Sequence, residues 1–465
     1  MRLLPPVPPT AEQLPLLAEN QPGVMIIRGA AGSGKTTTAL MRLSQLCANR
    51  LQRHTRLQIQ RPVRVLVLTF NRTLEGYVRA LAEEQVDASS NLELTVTTFA
   101  KWALSLLPAG YPLEGKHAES LLRGLCGGFG GDSGFVLDEV QYLLSRFPPS
   151  EVRSYITTRR DGRGASPRMD ETARRRLLDT VVTPYQEAKA RAGIADWNDQ
   201  AIAAASASPE EKWDIIVVDE TQDFSANELR AMLAHADADA SVTFIIDAAQ
   251  QIYKKGFTWK EVGVDGQQTR TLKVNYRNTK EIAAFARPIV DGLTVGADGL
   301  LPDLNAAARC GPKPVVLVGK YSKQLDWALA HVVGTADLAT ESVAFLVFRR
   351  GRWSDTLIEG LDAAGVAWVP LTGKSEWPGG DEAVALCTLH SAKGLEFDHV
   401  VILGVNAELT PHGVEDDDTE LDRYRRLLAM GIGRARKTVT LGYKPREESR
   451  LISYLDPTTF QAVRV

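Results

Sequence analysis

Nine short, mostly apolar runs, rich in Val, Ile and Leu, recur along the chain and constrain its fold most. Most are followed by a turn and a stretch of helical periodicity. Strands that are apolar without alternation are buried on both faces, as in a parallel sheet covered by helices. In a chain of 465 residues, nine such strands predict an α/β fold with two domains. The runs occupy residues 24–28, 63–68, 215–219, 242–247, 314–319, 343–348, 384–389, 400–404 and 438–443.

The pattern changes between about residues 101 and 212, where apolar runs vanish and helix-period segments such as 170–193 replace them. We therefore expect a mostly helical insertion at 101–212. Residues 1–100 and 213–275 would form the first α/β domain, and residues 276–465 the second.

Composition excludes several classes of protein. The net charge of −3 gives no overall nucleic-acid signal, so any DNA site must be a local basic groove. The cysteines lie far apart and form no metal or disulfide framework, so we expect buried free thiols; they are Cys47, Cys126, Cys310 and Cys387. The start of the chain lacks a signal-peptide pattern, and no apolar run approaches membrane-spanning length. We expect a cytoplasmic protein without a membrane partner.

The segment "RGAAGSGKTT" (28–37) fits the phosphate-binding pattern GxxxxGK[ST], between a predicted strand and a predicted helix. Glycines let backbone N–H groups surround phosphate oxygens, and the helix N-terminus favours their negative charge. Lys35 would contact the β- and γ-phosphates of ATP, and the Thr36 hydroxyl would bind Mg²⁺. The other predicted nucleotide contacts here are Gly29, Gly32, Ser33, Gly34 and Thr37.

Two adjacent acids end the strand that precedes "TQDF". In a parallel sheet, carboxyl strand ends face the ligand, so Asp219 would bind Mg²⁺ and Glu220 would act as general base for hydrolysis. A solvated acidic strand end is the alternative. Gln13, just before the first strand, can bond an adenine edge or lie on the surface.

Eight segments in fixed order resemble the UvrD/Rep family of superfamily 1 DNA helicases. They are the phosphate loop, "VLTFNRTL", "TVTTFAKW", "VVDETQDF", "IIDAAQQIY", "LKVNYRN", "TLHSAKGLEFDHVVI" and "YRRLLAMGIGRARK". The resemblance implies two RecA-like domains, ATP and Mg²⁺ as cofactors, and single-stranded or tailed DNA as partner.

The resemblance also implies roles at the nucleotide. Gln250 would sense the γ-phosphate, and Arg277 and Arg434 would enter the cleft from the second domain to stabilise phosphoryl charge. A surface ion pair is the alternative for either arginine. Tyr276 would stack on adenine, Glu396 would contact the ribose, and Gly394 would allow close backbone approach.

For DNA, the matching positions are Phe70, Asn71, Thr98, Phe99, Tyr253, Trp259, His390 and Lys393. The aromatic residues suggest a surface on which unpaired bases stack, and core packing is their alternative. A basic loop carrying Arg159, Arg160, Arg163 and Arg168 is a further candidate for phosphate contact, with a solvated loop as the alternative.

Two departures from the family bear on function. Thr37 stands where the family usually has an arginine that stacks on adenine. Only about 110 residues separate "NYR" from "HSAKGLEF", so the family's large second insertion (2B) would be absent or vestigial, as in the reduced UvrD-like helicases of anti-phage systems such as Gabija.

The chain thus resembles an ATP-dependent 3′→5′ translocase or helicase on single-stranded DNA. The alternative is a DNA-stimulated ATPase subunit that senses DNA ends or single strands and regulates a partner nuclease. The pathway, DNA repair or antiviral defence, stays open.

Overall fold

The structure, a computed structural model, describes residues 8–29, 32–70, 72–85, 91–160, 168–207, 212–246, 256–293, 307–372, 377–413 and 418–465. No helix among these residues is long and apolar enough to cross a membrane. Of the four thiols, none of which forms a disulfide, three are buried as predicted, whereas Cys310 is exposed and corrects that prediction.

The first part of the chain alternates strands and helices. In chain order it contains α1 (Leu14–Ala18), β1 (Gly23–Gly29), α2 (Lys35–Leu57), β2 (Val63–Thr69), α3 (Arg72–Gln85) and β3 (Leu92–Thr98). The central residues of β1 and β2 are buried, which agrees with their uninterrupted apolar sequence.

Helices alone follow, within the part of residues 99–207 that the structure describes. They are α4 (Phe99–Ser105), α5 (Gly115–Cys126), α6 (Ser133–Arg146), α7 (Glu171–Leu177), α8 (Thr183–Ala192) and α9 (Trp197–Ser206). A π-helical turn, Leu178–Val182, joins α7 to α8. The helices α5–α8 bury a core of their own. Arg146 of α6 connects this helical core to the sheet domain, because it forms an ion pair with Glu261 at 2.8 Å.

The chain then returns to the first sheet with β4 (Trp213–Val218), α10 (Ala226–Ala234), β5 (Ala236–Ile246) and β6 (Gln268–Leu272). The six strands are ordered β3-β2-β4-β5-β1-β6, and each neighbouring pair is parallel. The carboxyl ends of β1 and β4 therefore open at the same edge of this sheet.

The remainder forms a second parallel sheet. Its elements begin with β7 (Asn275–Thr279), α11 (Lys280–Val290), β8 (Ala307–Arg309), β9 (Val315–Val318), α12 (Tyr321–Ala328), β10 (Val343–Val347) and α13 (Arg352–Ala363). They continue with β11 (Trp368–Pro370), β12 (Val384–Thr388), β13 (Phe397–Ile402), α14 (Thr419–Ile432), β14 (Ala435–Tyr443) and β15 (Gln461–Arg464). Seven strands are ordered β11-β12-β10-β13-β14-β9-β15, while β7 and β8 pair separately.

The predicted fold class is confirmed: two parallel sheets, each with helices, make two RecA-like domains. All nine predicted strands coincide with strands of these sheets. Buried apolar side chains of both domains belong to one contiguous cluster. As domain boundaries, the limits near residues 100, 212 and 275 stay predictions.

Candidate functional site

The phosphate loop connects β1 to α2 and leaves no room for side chains at its glycines. Gly32 and Gly34 have φ values of 80° and 77°, in the region that favours glycine. A Cβ on Gly32 would lie 2.2 Å from the Asn275 side chain. Lys35 begins α2, and its Nζ donates a hydrogen bond to the Gly29 carbonyl at 2.9 Å. The ammonium thus lies within the loop predicted to receive phosphates.

Asp219 follows β4 and reaches the start of α2. Although β5 separates β4 from β1, Thr36 Oγ1 donates to Asp219 Oδ2 at 3.0 Å. Burial, and then the neighbouring Glu220 carboxylate, raises the pKa of Asp219. A buried carboxylate and hydroxyl that already touch form the oxygen donor set that Mg²⁺ prefers. These two predicted metal ligands therefore fit the ion.

Glu220 has a left-handed backbone, with φ 54° and ψ 41°. This conformation is strained for a residue with a Cβ and often marks a functional site. The Gln222 amide donates to its carboxylate. Burial acts to raise the pKa of Glu220, but Lys393, Arg434 and Lys35 outweigh burial and hold that pKa below its usual value. Glu220 is thus kept ionised, as a general base must be.

The two predicted arginines come from the second domain and line the same cleft. Arg277 forms an ion pair with Glu396, and its backbone N–H donates to the Gly32 carbonyl at 3.2 Å. Arg434 is fully buried, and its guanidinium donates to the carbonyls of Met430 at 3.2 Å and Leu395 at 3.3 Å. The surface alternative is excluded for Arg434, and Arg277 is also mostly enclosed.

Lys393 crosses the cleft to the acids of the first domain. Its side chain is 4% exposed, forms an ion pair with Asp223, and lies 3.5 Å from Glu220 Oε2. Its ammonium is engaged by protein carboxylates, and its contact with DNA stays a prediction. Asp223, the last acid of "DETQD", is thereby tied to the "HSAKGLEF" segment.

Together these elements form one cleft between the two domains. It is lined by Gly32, Gly34, Lys35, Thr36, Thr37, Tyr77, Leu81, Asp219, Glu220, Ile245, Arg277, Gly394, Glu396 and Arg434. The structure therefore brings most of the predicted nucleotide residues to one place. Sequence reasoning missed Tyr77 and Leu81, which belong to no nucleotide-binding pattern, and Ile245, which opens the segment "IIDAAQQIY".

Gln13 lies against the phosphate loop, with its Nε2 3.5 Å from the Gly34 carbonyl. Its Oε1 accepts from the Thr10 N–H at 2.9 Å. The side chain is buried, so the surface alternative does not hold, and its contact with adenine stays a prediction.

The residues predicted to contact DNA are mostly packed. Phe99 is enclosed in the core with its ring 6.2 Å from that of Phe224, and its contact with DNA stays a prediction. Thr98 is also buried, and its hydroxyl caps α4. Phe70 is half-buried, with its ring 5.5 Å from that of Phe224. Half-buried Trp259 packs on Phe244 at 5.2 Å. Contact of Phe70 and Trp259 with DNA stays a prediction.

His390 is half-buried, and burial, then Arg423 and Lys393, lowers its pKa. Its contact with DNA also stays a prediction. Four other predictions, for Asn71, Gln250, Tyr253 and the Tyr276 side chain, lie outside the described residues.

The basic loop is only partly available for phosphate contact. Arg160 is buried and donates to both carboxylate oxygens of Glu139 at 2.7 Å, so it stabilises the helical insertion. Arg159 and Arg168 are exposed. Arg163 lies outside the described residues. For Arg160 the prediction is corrected, since a buried ion pair occupies its guanidinium.

Comparisons with known proteins agree with this geometry. The family model for the UvrD/REP helicase N-terminal domain matches residues 10–257, and that for the UvrD-like helicase C-terminal domain matches residues 372–445. Similar proteins include ATP-dependent DNA helicase Rep of Escherichia coli, 40% identical over 15% of this chain and 11% of Rep. ATP-dependent DNA helicase PcrA of Bacillus subtilis is 40% identical over 15% of this chain and 10% of PcrA.

DNA helicase II of Escherichia coli is 44% identical over 13% of this chain and 9% of that helicase. The matched segments therefore span about a tenth of these relatives' length. The N-terminal family model alone covers more than half of the chain, over the phosphate loop, the helical insertion and the acids of "DETQD". The chain belongs to the UvrD/Rep helicase family.

Proposed function

We propose that this chain hydrolyses ATP in the interdomain cleft and uses the cycle to move 3′→5′ along single-stranded DNA. One observation carries the proposal: Lys35 and Glu220 of the first domain share one cleft with Arg277 and Arg434 of the second. Groups for phosphate binding, water activation and charge stabilisation thus meet only where the domains meet.

The residues divide the work of hydrolysis. Lys35 holds the β- and γ-phosphates. Glu220, oriented by Gln222 and kept ionised by the surrounding cations, accepts a proton from the attacking water. Arg277 and Arg434 stabilise charge on the transferring phosphoryl group, as arginine fingers supplied in cis. Thr36 and Asp219 would hold Mg²⁺, which neutralises charge on the phosphate oxygens when bound.

Movement would follow from the way the cleft is assembled. Because the arginines and Lys393 belong to the second domain, nucleotide binding favours the closed cleft and product release opens it. The pair between Lys393 and Asp223 supports this coupling, since it joins the acidic segment of one domain to the "HSAKGLEF" segment of the other. If the two domains bind the DNA strand tightly in turn, each cycle of closing and opening would move the chain along the strand.

A second candidate rests on the second domain. Between β8 and β12, the described residues contain only strands and helices of the β9–β11 region, with no large helical subdomain. This favours a motor that translocates but needs a partner to separate duplex. In that role, DNA-stimulated hydrolysis would report single strands or ends to a partner such as a nuclease.

Two assays with the isolated chain separate the candidates. Streptavidin release from 5′-biotinylated single-stranded DNA, with slower release from a 3′ end, tests 3′→5′ translocation. Strand displacement on a 3′-tailed duplex tests unwinding. Both signals together support a self-sufficient helicase. Release without unwinding supports the partner-dependent motor, and DNA-stimulated hydrolysis without release supports the sensor. Faster release from the 3′ end contradicts the proposed direction. Glu220→Gln, which should still bind ATP, is the matched control.

A further inference from the structure

Two aromatic residues meet across the domains at the cleft. Tyr77 of α3 and Trp377, between β11 and β12, have ring centroids 5.0 Å apart and ring planes inclined at 59°. Tyr77 lines the cleft and is 8% exposed, and Trp377 packs against the same apolar cluster. Neither residue belongs to a motif, yet their contact joins the two domains beside the cleft that Tyr77 lines.

The cleft lining is otherwise charged, polar or glycine, apart from three side chains. One of these, Ile245, belongs to the central strand β5. The other two, Tyr77 and Leu81, stand four residues apart on α3 and so share one face of that helix. They form an apolar wall in a site that otherwise handles phosphate.

These apolar side chains offer a surface for the base of a nucleotide. With the triphosphate at Lys35 and Thr36 and its terminal end toward Arg277 and Arg434, the base must lie away from the charged groups. Aromatic faces are the surfaces on which bases stack. Thr37, also in the lining, has no planar group to offer. Among the described residues that line the cleft, only Tyr77 has an aromatic ring.

We propose that Tyr77 contacts the base of the bound nucleotide and that Trp377 positions Tyr77 from across the cleft. This rests on the proposed function, since it assumes a nucleotide on the phosphate loop. It also links the base to the contact between the domains, because the two rings belong to different domains.

The test measures affinities for ATP and for inorganic tripolyphosphate by competition against a fluorescent ATP analogue. Tyr77→Leu keeps apolar volume but removes the ring. We expect ATP binding to weaken about tenfold, within the range for loss of one stacked base, with tripolyphosphate binding unchanged. Tyr77→Phe should bind ATP as the wild type does. Trp377→Leu should weaken ATP binding by a smaller factor and leave tripolyphosphate binding unchanged.

Trp327→Leu is the matched control, because Trp327 is also half-buried in the second domain but stacks on His331 away from the cleft. Unchanged ATP affinity in Tyr77→Leu, or equal losses for ATP and tripolyphosphate, overturns this inference and leaves the proposed function intact. A wild-type chain that binds no ATP overturns both. A wild type that binds ATP but shows no DNA-stimulated hydrolysis overturns the proposed function, while the Tyr77 comparison still decides this inference.

Discussion

Replacing Lys393 with Met should destabilise the closed arrangement of the two domains more than it destabilises the fold of either domain. Lys393 is 3% exposed and Asp223 is 0% exposed, so the substitution leaves a carboxylate buried beside Glu220 without its cation. Removing one partner of a buried ion pair costs about 3–5 kcal/mol. Because the partners belong to different domains, opening the cleft and admitting water relieves that cost.

The penalty therefore acts on the closed state, where hydrolysis occurs. About 3 kcal/mol corresponds to about a 100-fold change in an equilibrium constant. We expect DNA-stimulated ATP hydrolysis by Lys393→Met to fall by at least about 100-fold. Steady-state rates over ranges of ATP and single-stranded DNA provide the measurement, with circular dichroism to verify folding.

A double-mutant cycle isolates the pair. Adding Asp223→Asn to Lys393→Met removes the buried negative charge, so the double variant should lose less activity than the summed single losses, by about 1 kcal/mol or more. Lys437→Met is the control, since Lys437 is 39% exposed and its pair with Glu341 is solvent-screened. Wild-type rates for Lys393→Met, or losses that simply add, would refute the reasoning.

Three further predictions concern other parts of the molecule. Glu220→Gln should bind ATP normally but hydrolyse it at least about 100-fold more slowly; an active variant would refute the general-base role. Arg160→Met should lower the unfolding free energy by about 3–5 kcal/mol, because it leaves buried Glu139 without its cation; chemical denaturation measures this, and an unchanged midpoint argues against it. A side-chain hydrogen bond from Lys437 lowers the pKa of Glu341 to about 2, so Glu341 contributes stability above its unfolded pKa that is lost as pH falls toward 2. Thermal unfolding of Glu341→Gln should therefore differ from wild type at neutral pH and converge with it near pH 2, and a gap that persists there contradicts the assignment.

Buried strands were predictable because their sequences carry the signal of burial. Residues 65–68 and 215–218 are continuous apolar runs, and the structure has β2 and β4 there. The edge strands β6 and β15 are mostly exposed and have polar sequences, so no apolar run marks them. Their pairing depends on the neighbouring strand rather than on their own residues.

The nucleotide site was predictable where a motif fixes chemistry and position together, as at Lys35 and Asp219. Contacts between segments that are distant in the sequence could not be predicted. Nothing near Tyr77 indicates that Trp377 will reach it, since 300 residues separate them. The cluster of arginines in the sequence likewise could not show that Arg160 would form a buried ion pair with Glu139 instead of facing solvent.

The central claim is that hydrolysis in the cleft is coupled to DNA. Its most direct test is the rate of ATP hydrolysis by the wild-type chain with and without single-stranded DNA, at saturating Mg²⁺ and with Glu220→Gln as the blank. We predict that single-stranded DNA raises the rate at least about tenfold, as expected when DNA biases the chain toward the closed state by about 1.4 kcal/mol or more. A wild-type rate that DNA leaves unchanged would contradict the coupling.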